Sequence, residues 1–98
     1  MLPVILSLLA ERDVADVYDY LALQGGQLLQ RFDDELNTVL ETIAKHPHRF
    51  PEYEHGSRRA LLRSFPYKVI YQIGDESIRV IAVYHAARDP ERWDDPHR

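Results

Sequence analysis

Six basic residues fall between Arg58 and Arg88 (Arg58, Arg59, Arg63, Lys68, Arg79 and Arg88), and only Asp75 and Glu76 oppose them in that interval. Cations at this density attract anions, such as a phosphate or a carboxylate-bearing partner. Moving protons is a different demand. Arginine stays protonated at neutral pH, so a guanidinium cluster stabilises charge without carrying protons. Imidazole is the side chain suited to that task, and this stretch holds one, His85. The chain has no cysteine, which excludes disulfides, cysteine-ligated zinc and thiol catalysis. His46 and His48 are separated by one residue, with no carboxylates spaced for zinc, so neither a metal nor another cofactor is expected. No phosphate-cradling glycine loop and no Ser-His-Asp arrangement is visible.

The elements that must position these residues belong to one domain, 1–98. The chain has 98 residues, 45% of them apolar and 29% charged, a globular mix that excludes a disordered or low-complexity segment. Its net charge of −4 is unevenly spread. Residues 1–57 hold 10 acids and 4 bases, whereas residues 58–98 hold 6 acids and 8 bases. No apolar run approaches the roughly 18 residues that span a bilayer. Met1–Leu9 lacks the basic flank and the length of a signal peptide. The expectation is therefore a cytoplasmic protein without a membrane partner.

Val4–Leu8 reads as a first strand, and Ser7 is placed to cap the helix that follows. From Ala10 to Leu23, Val14, Val17, Tyr18 and Leu21 recur on one helical face, with Asp13, Asp16 and Asp19 off it. Gln24-Gly25-Gly26 breaks the pattern. A second helix is expected from about Gln27 to Lys45, with Leu29, Phe32, Leu36, Val39, Leu40 and Ile43 as its buried stripe, and Pro47 stops it. So short a connection predicts an antiparallel helical hairpin. After a loop from His46 to Gly56, Arg59–Ser64, Tyr67–Ile73 and Ser77–His85 read as strands of an antiparallel meander.

Centring the turns on Phe65-Pro66 and Asp75-Glu76 pairs Leu62 with Val69, Ala60 with Tyr71, Ile73 with Ile78, Tyr71 with Val80, Val69 with Ala82 and Tyr67 with Tyr84. Alternation then collects Ala60, Leu62, Tyr67, Val69, Tyr71, Ile73, Ile78, Val80, Ala82 and Tyr84 on a face without charge, the seat for the helices. The opposite face collects Arg59, Leu61, Arg63, Lys68, Ile70, Gln72, Arg79, Ile81, Val83 and His85. Aliphatics interleaved with cations suggest a surface that something covers. A slip of one residue would exchange the two faces.

The sequence resembles the RelE/ParE toxin superfamily, on the ParE-like or plasmid stabilisation side. The resemblance runs through Ala10-Glu11-Arg12-Asp13-Val14-Ala15-Asp16-Val17-Tyr18-Asp19-Tyr20-Leu21, which is similar to the family's A-x-x-D-L-x-x-I-x-x-Y helix. His46-Pro47 closes the second helix, Phe65-Pro66-Tyr67-Lys68-Val69-Ile70-Tyr71 is similar to F-P-Y-x-V-I-Y, and His85-Ala86-Ala87-Arg88-Asp89-Pro90-Glu91-Arg92-Trp93 is similar to H-x-x-R-D-P-x-x-W. The fold implied is α+β, in the order β-α-α-β-β-β, with a two-helix hairpin packed on an antiparallel meander. The ParE side implies a growth-inhibiting toxin of a type II toxin–antitoxin system that binds DNA gyrase, cuts nothing and is neutralised by a cognate antitoxin.

On that reading Arg59, Arg63, Lys68, Arg79, His85, Arg88 and Trp93 are the candidate target- or anion-binding residues. Leu61, Ile70, Ile81 and Val83 are the apolar seats for an antitoxin tail. The RelE side implies the alternative, a metal-independent, ribosome-dependent mRNA endoribonuclease. Arg59, Lys68 and Arg88 would then hold phosphate and His85 would carry the proton, with Ala86 and Ala87 standing where a His-Tyr pair would fall. A degenerate, non-toxic binding protein is the third reading.

Overall fold

Ser7 ends the first strand and begins the first helix: its hydroxyl accepts the Ala10 N–H at 3.1 Å, so the chain turns within one residue. In the computed structural model, which describes residues 1–88 apart from the Arg88 side chain, β1 spans Val4–Leu6, α1 Leu8–Gln24 and α2 Gly26–Lys45. Strands β2 (Arg58–Leu61), β3 (Tyr67–Ile73) and β4 (Ile78–His85) follow. Gly25 alone separates the helices. Its φ of 144° is closed to side-chain-bearing residues without strain, and its N–H caps α1 on the Leu21 carbonyl. The expected order β-α-α-β-β-β is the observed one.

The four strands form one sheet in the order β1-β4-β3-β2. β3 pairs antiparallel with both β2 and β4, while β1 lies parallel to β4 at the edge, Val4 opposite Ile78 and Leu6 opposite Val80. The helices cover one face of this sheet. Ala10, Val14, Val17 and Leu21 of α1 and Phe32, Leu36 and Ile43 of α2 pack on Ala60, Tyr67, Val69, Tyr71, Ile78, Val80 and Val83. Phe32 is wholly buried and meets Tyr18, Phe65 and Tyr67 edge to face, with centroids 5.9, 5.5 and 5.6 Å away.

Two parts of the pairing differ from the sequence expectation. β2 ends at Leu61 and is shifted by two residues, with Ala60 opposite Val69 and Arg58 opposite Tyr71. An even shift keeps the faces, so Ala60 still points to the core. The shift also leaves Arg63 in the loop before β3, beside Arg31, Asp34 and Glu35 of α2 and not on the back of the sheet. The second difference changes faces. Tyr71 pairs with Val80 as expected, but Ile70 pairs with Ala82, leaving Ile81 as a β-bulge. Beyond the bulge the alternation inverts. Val83 and His85 turn to the helical side, while Ala82 and Tyr84 turn to the back. Val83, expected as an apolar seat for a partner, is a core residue.

A buried carboxylate marks the same place. β1 stops at Leu6, opposite Val80, so among the described residues no strand lies farther along that side of β4 to accept a backbone N–H. Asp13, one helical turn into α1, accepts the Val83 N–H at 2.9 Å. It is buried, and does not lie on the solvent face with Asp16 and Asp19 as its helical position suggested.

The helices are also joined by the Tyr18 hydroxyl, which donates to the Asp33 carboxylate. Burial first, and then that hydrogen bond and the Asp33 charge, push the Tyr18 phenol up to about 12 from 10.0. A group with a raised folded-state pKa contributes its stability fully below the unfolded value and loses it as pH rises through the folded one. Stability is therefore expected to fall as pH rises from 10.0 toward about 12. Tyr18→Phe should flatten that limb in denaturation curves taken across this range, and an unchanged slope would refute the coupling.

Candidate functional site

The back of the sheet, away from the helices, carries the charge. Across it run Ile5, Arg79 and Gln72 in one row, Ala82, Ile70 and Arg59 in the next, and Tyr84, Lys68 and Leu61 in the last. Among the described residues no strand contributes a carboxylate to it, because β1, β2, β3 and β4 contain no Asp or Glu. Arg79 is exposed, as are Leu61 and Ile5, at 55% and 52%.

The middle of this face is closed by a residue that the sequence reading left in a loop. After Pro51 the chain folds back on itself. Glu52 bridges to Arg58, and His55 and Gly56 turn it sharply, with φ of 59° and 74°. The Tyr53 N–H then bonds the Ser57 carbonyl at 2.8 Å, and Gln72 holds the His55 carbonyl at 3.2 Å. Tyr53 thereby packs with Ile81 on a small second core of Ile70, Ala82 and Tyr84. Ile70, expected as a contact residue, is fully buried there, and Ile81 is half-buried.

Two cations share the Tyr53 ring. The Arg59 guanidinium lies 5.2 Å from its centroid and the Lys68 ammonium 5.7 Å. Burial and then the Arg59 charge hold the Lys68 ammonium below its ordinary pKa. The Arg59 Nε–H is buried and has no acceptor among the described residues. The patch is thus partly dehydrated and strongly positive. It suits binding of a carboxylate or phosphate.

His85 stands elsewhere. It pairs across the strands with Tyr67 on the helical side, their rings 5.2 Å apart, and lines a cleft with Tyr20, Leu21, Phe65 and Ala87. Its Nδ1 accepts the Ala87 N–H at 3.1 Å, which holds the turn Ala86–Arg88. Arg88 closes that turn, but its side chain and all of Trp93 lie outside the described residues. The structure therefore brings Arg59, Lys68 and Arg79 onto one face, and separates Arg63 and His85 from them. Among the described residues no group of three or more His, Cys, Asp or Glu side chains could hold a metal ion, and no helix is long and apolar enough to cross a membrane.

The family model for the ParE toxin of the type II toxin–antitoxin system parDE matches residues 4–90. The chain belongs to the ParE toxin family. A solved structure described as a chromosomal ParDE toxin–antitoxin system from P. aeruginosa superposes with a TM-score of 0.74 at 16% identity, covering 87% of this chain and 96% of that one. At that identity the likeness speaks for the ParE-like fold. A conserved hypothetical protein from Helicobacter pylori is 20% identical over 89% of this chain and 97% of its own, with a TM-score of 0.48. No curated protein matches the chain. Asp13, Tyr67 and His85 of the family-like motifs all serve this ParE fold directly. Asp13 fastens α1 to β4, Tyr67 packs on Phe32, and His85 secures the turn after β4.

Proposed function

We propose that this ParE family member is a cytoplasmic growth-inhibiting toxin that binds and inhibits DNA gyrase and is neutralised by a cognate antitoxin. The observation that carries the proposal is the back of the sheet, where Arg59, Lys68 and Arg79 stand among Leu61, Ile5 and Ile81 with no strand carboxylate among the described residues. Such a face suits docking by charge and apolar contact and requires no catalytic group. The antitoxin contact also draws on exposed Leu61 and half-buried Ile81, while Ile70 supports the surface from beneath.

The inverted alternation after Ile81 counts against the nuclease alternative. Cleaving RNA without a metal needs a proton carrier beside the phosphate-binding cations. Here His85 faces the helical side and Arg59 and Lys68 face the back.

The test is a supercoiling assay with purified gyrase and increasing amounts of the protein, with a ribosome-programmed mRNA cleavage assay alongside. Inhibition of supercoiling with intact mRNA is the expected result. Reversing two charges, Lys68→Glu with Arg79→Glu, is expected to raise the inhibitory concentration about ten-fold or more, because like charges across an interface cost several kcal/mol. Undiminished supercoiling at saturating protein would refute gyrase as the target.

A further inference from the structure

We infer that two copies of the chain associate through β1, pairing antiparallel about Ile5 so that their sheets become one. The backbone supplies the first argument. The Pro3 carbonyl accepts the Ile78 N–H at 2.8 Å, and the Ser7 N–H bonds the Val80 carbonyl at 2.9 Å. Bonding direction alternates along a strand, so residues 3, 5 and 7 bond inward to β4, and Val4 and Leu6 direct their N–H and C=O groups outward. Among the described residues nothing pairs with that edge. The opposite edge is closed, since Glu52 bridges to Arg58 and the Arg59 N–H bonds the Pro51 carbonyl at 3.1 Å. Exposed edges are normally blunted by charge or by a proline whose missing N–H faces outward. Here residues 1–10 carry no charged side chain, and Pro3 faces inward.

The surroundings of the edge select a second copy as its occupant. A two-fold axis at Ile5 sets Val4 opposite Leu6 of the second copy and Leu6 opposite its Val4, two pairs that exchange four backbone hydrogen bonds. It also sets residues 1–3 beside residues 7–9 of the second copy, and these two stretches complement each other. Residues 1–4 and α2 border an open groove lined by Leu2, Val4, Leu40, Glu41 and Ala44, while Leu8 and Leu9 stand exposed at 67% and 52%. Each copy thus presents its leucines to the other's groove, the reciprocal contact that a closed dimer requires. Charge agrees. Exposed Arg12 lies one turn beyond Leu8, exposed Glu41 lines the groove, and neither has an ion pair among the described residues. The axis brings each Arg12 toward Glu41 of the other copy. The two Arg79 residues, one strand inward from Ile5, end three strand spacings apart, about 14 Å. That exceeds the Debye length of about 8 Å at physiological salt, so their repulsion is screened. The contact involves roughly half of the 20–30 residues a side of a standard interface, or roughly 800–1,000 Å² in all, which suits a weak, concentration-dependent dimer. The inference depends on neither gyrase nor an antitoxin.

Sedimentation velocity of the full chain, from micromolar to near-millimolar concentration, should show monomers giving way to dimers. Ile5→Lys sets two ammonium groups face to face at the axis and should weaken dimerisation about ten-fold or more. Ile5→Cys tests the register. The chain has no cysteine, and the non-hydrogen-bonded pair at the axis holds its Cα atoms about 4.5 Å apart, within the range of about 4.4–6.8 Å that a disulfide spans. Mild oxidation should link this variant into dimers much faster than Leu61→Cys, an exposed control on β2. Far-UV circular dichroism identifies a variant that fails to fold, and the cysteine variant decides the matter if the lysine variant does not fold. A monomer at every concentration would overturn the inference and leave the edge to a strand of another protein. So would a dimer that Ile5→Lys leaves intact, or one in which Ile5→Cys crosslinks no faster than Leu61→Cys, since either assigns the contact to another surface.

Discussion

Phe32→Ala is expected to cost about 3–5 kcal/mol of stability, the usual range for emptying a buried aromatic site. The value should fall high in that range because the site cannot collapse. Phe32 is fully buried, and the rings around it come from α1 (Tyr18), the loop before β3 (Phe65) and β3 itself (Tyr67). Each is held by its own element, so none can move into the void without breaking contacts elsewhere. Loss of three edge-to-face contacts adds to the cavity, at about 0.5–1.5 kcal/mol for each aromatic pair. Phe32→Leu retains most of the volume and should cost markedly less. Urea denaturation of the three proteins would test this. Equal midpoints for the alanine and leucine variants would show that the site relaxes and that the aromatic cluster is not what joins hairpin to sheet. Since domains of this size have only about 5–15 kcal/mol in total, growth inhibition by Phe32→Ala should fall through loss of folded protein.

Asp13→Ala should have the next largest effect, about 1–3 kcal/mol, the cost of leaving a buried N–H without an acceptor. The group stranded is the Val83 amide, whose partner is the Asp13 carboxylate at 2.9 Å. Asp13→Asn keeps an acceptor oxygen at nearly the same position, so it should lie between the parent and the alanine variant. Amide hydrogen exchange separates this mechanism from a general helix effect. The Val83 amide should exchange much faster in Asp13→Ala, while amides in α2, such as that of Leu36, keep their protection relative to global stability. If Val83 is protected equally in both proteins, the carboxylate is not its anchor.

The helices were legible because their signals are local. Ser7 before an apolar periodicity, Gly25-Gly26 between two such runs and Pro47 after the second identify α1 and α2 to within two residues, and period-3.6 patterning picks out Phe32, Leu36 and Ile43 as core. The hairpin β3-β4 was legible near its turn, where Ile73 and Ile78 flank Gly74 to Ser77. Farther out, Val80-Ile81-Ala82-Val83-Tyr84 is an unbroken apolar run. Alternation cannot be read from residues that would all accept burial, so the bulge at Ile81 left no trace there. The faces of Ala82 to His85 were consequently inverted. A hint did exist in the lengths, since β4 has 8 residues against 7 in β3.

What the sequence determined by itself was the order of the elements, the apolar core-facing stripes of both helices, though not buried Asp13, and the concentration of cations after Arg58. Each is a property of near neighbours or of simple composition. Only the tertiary structure decided which of those cations act together. Lys68 and Arg59 come onto one tyrosine ring because a loop folds back from Pro51, and His85 departs from them because a bulge adds one residue to β4. Both events depend on contacts between residues far apart in the chain, where a shift of one position changes the face a side chain takes without altering the local pattern of residues.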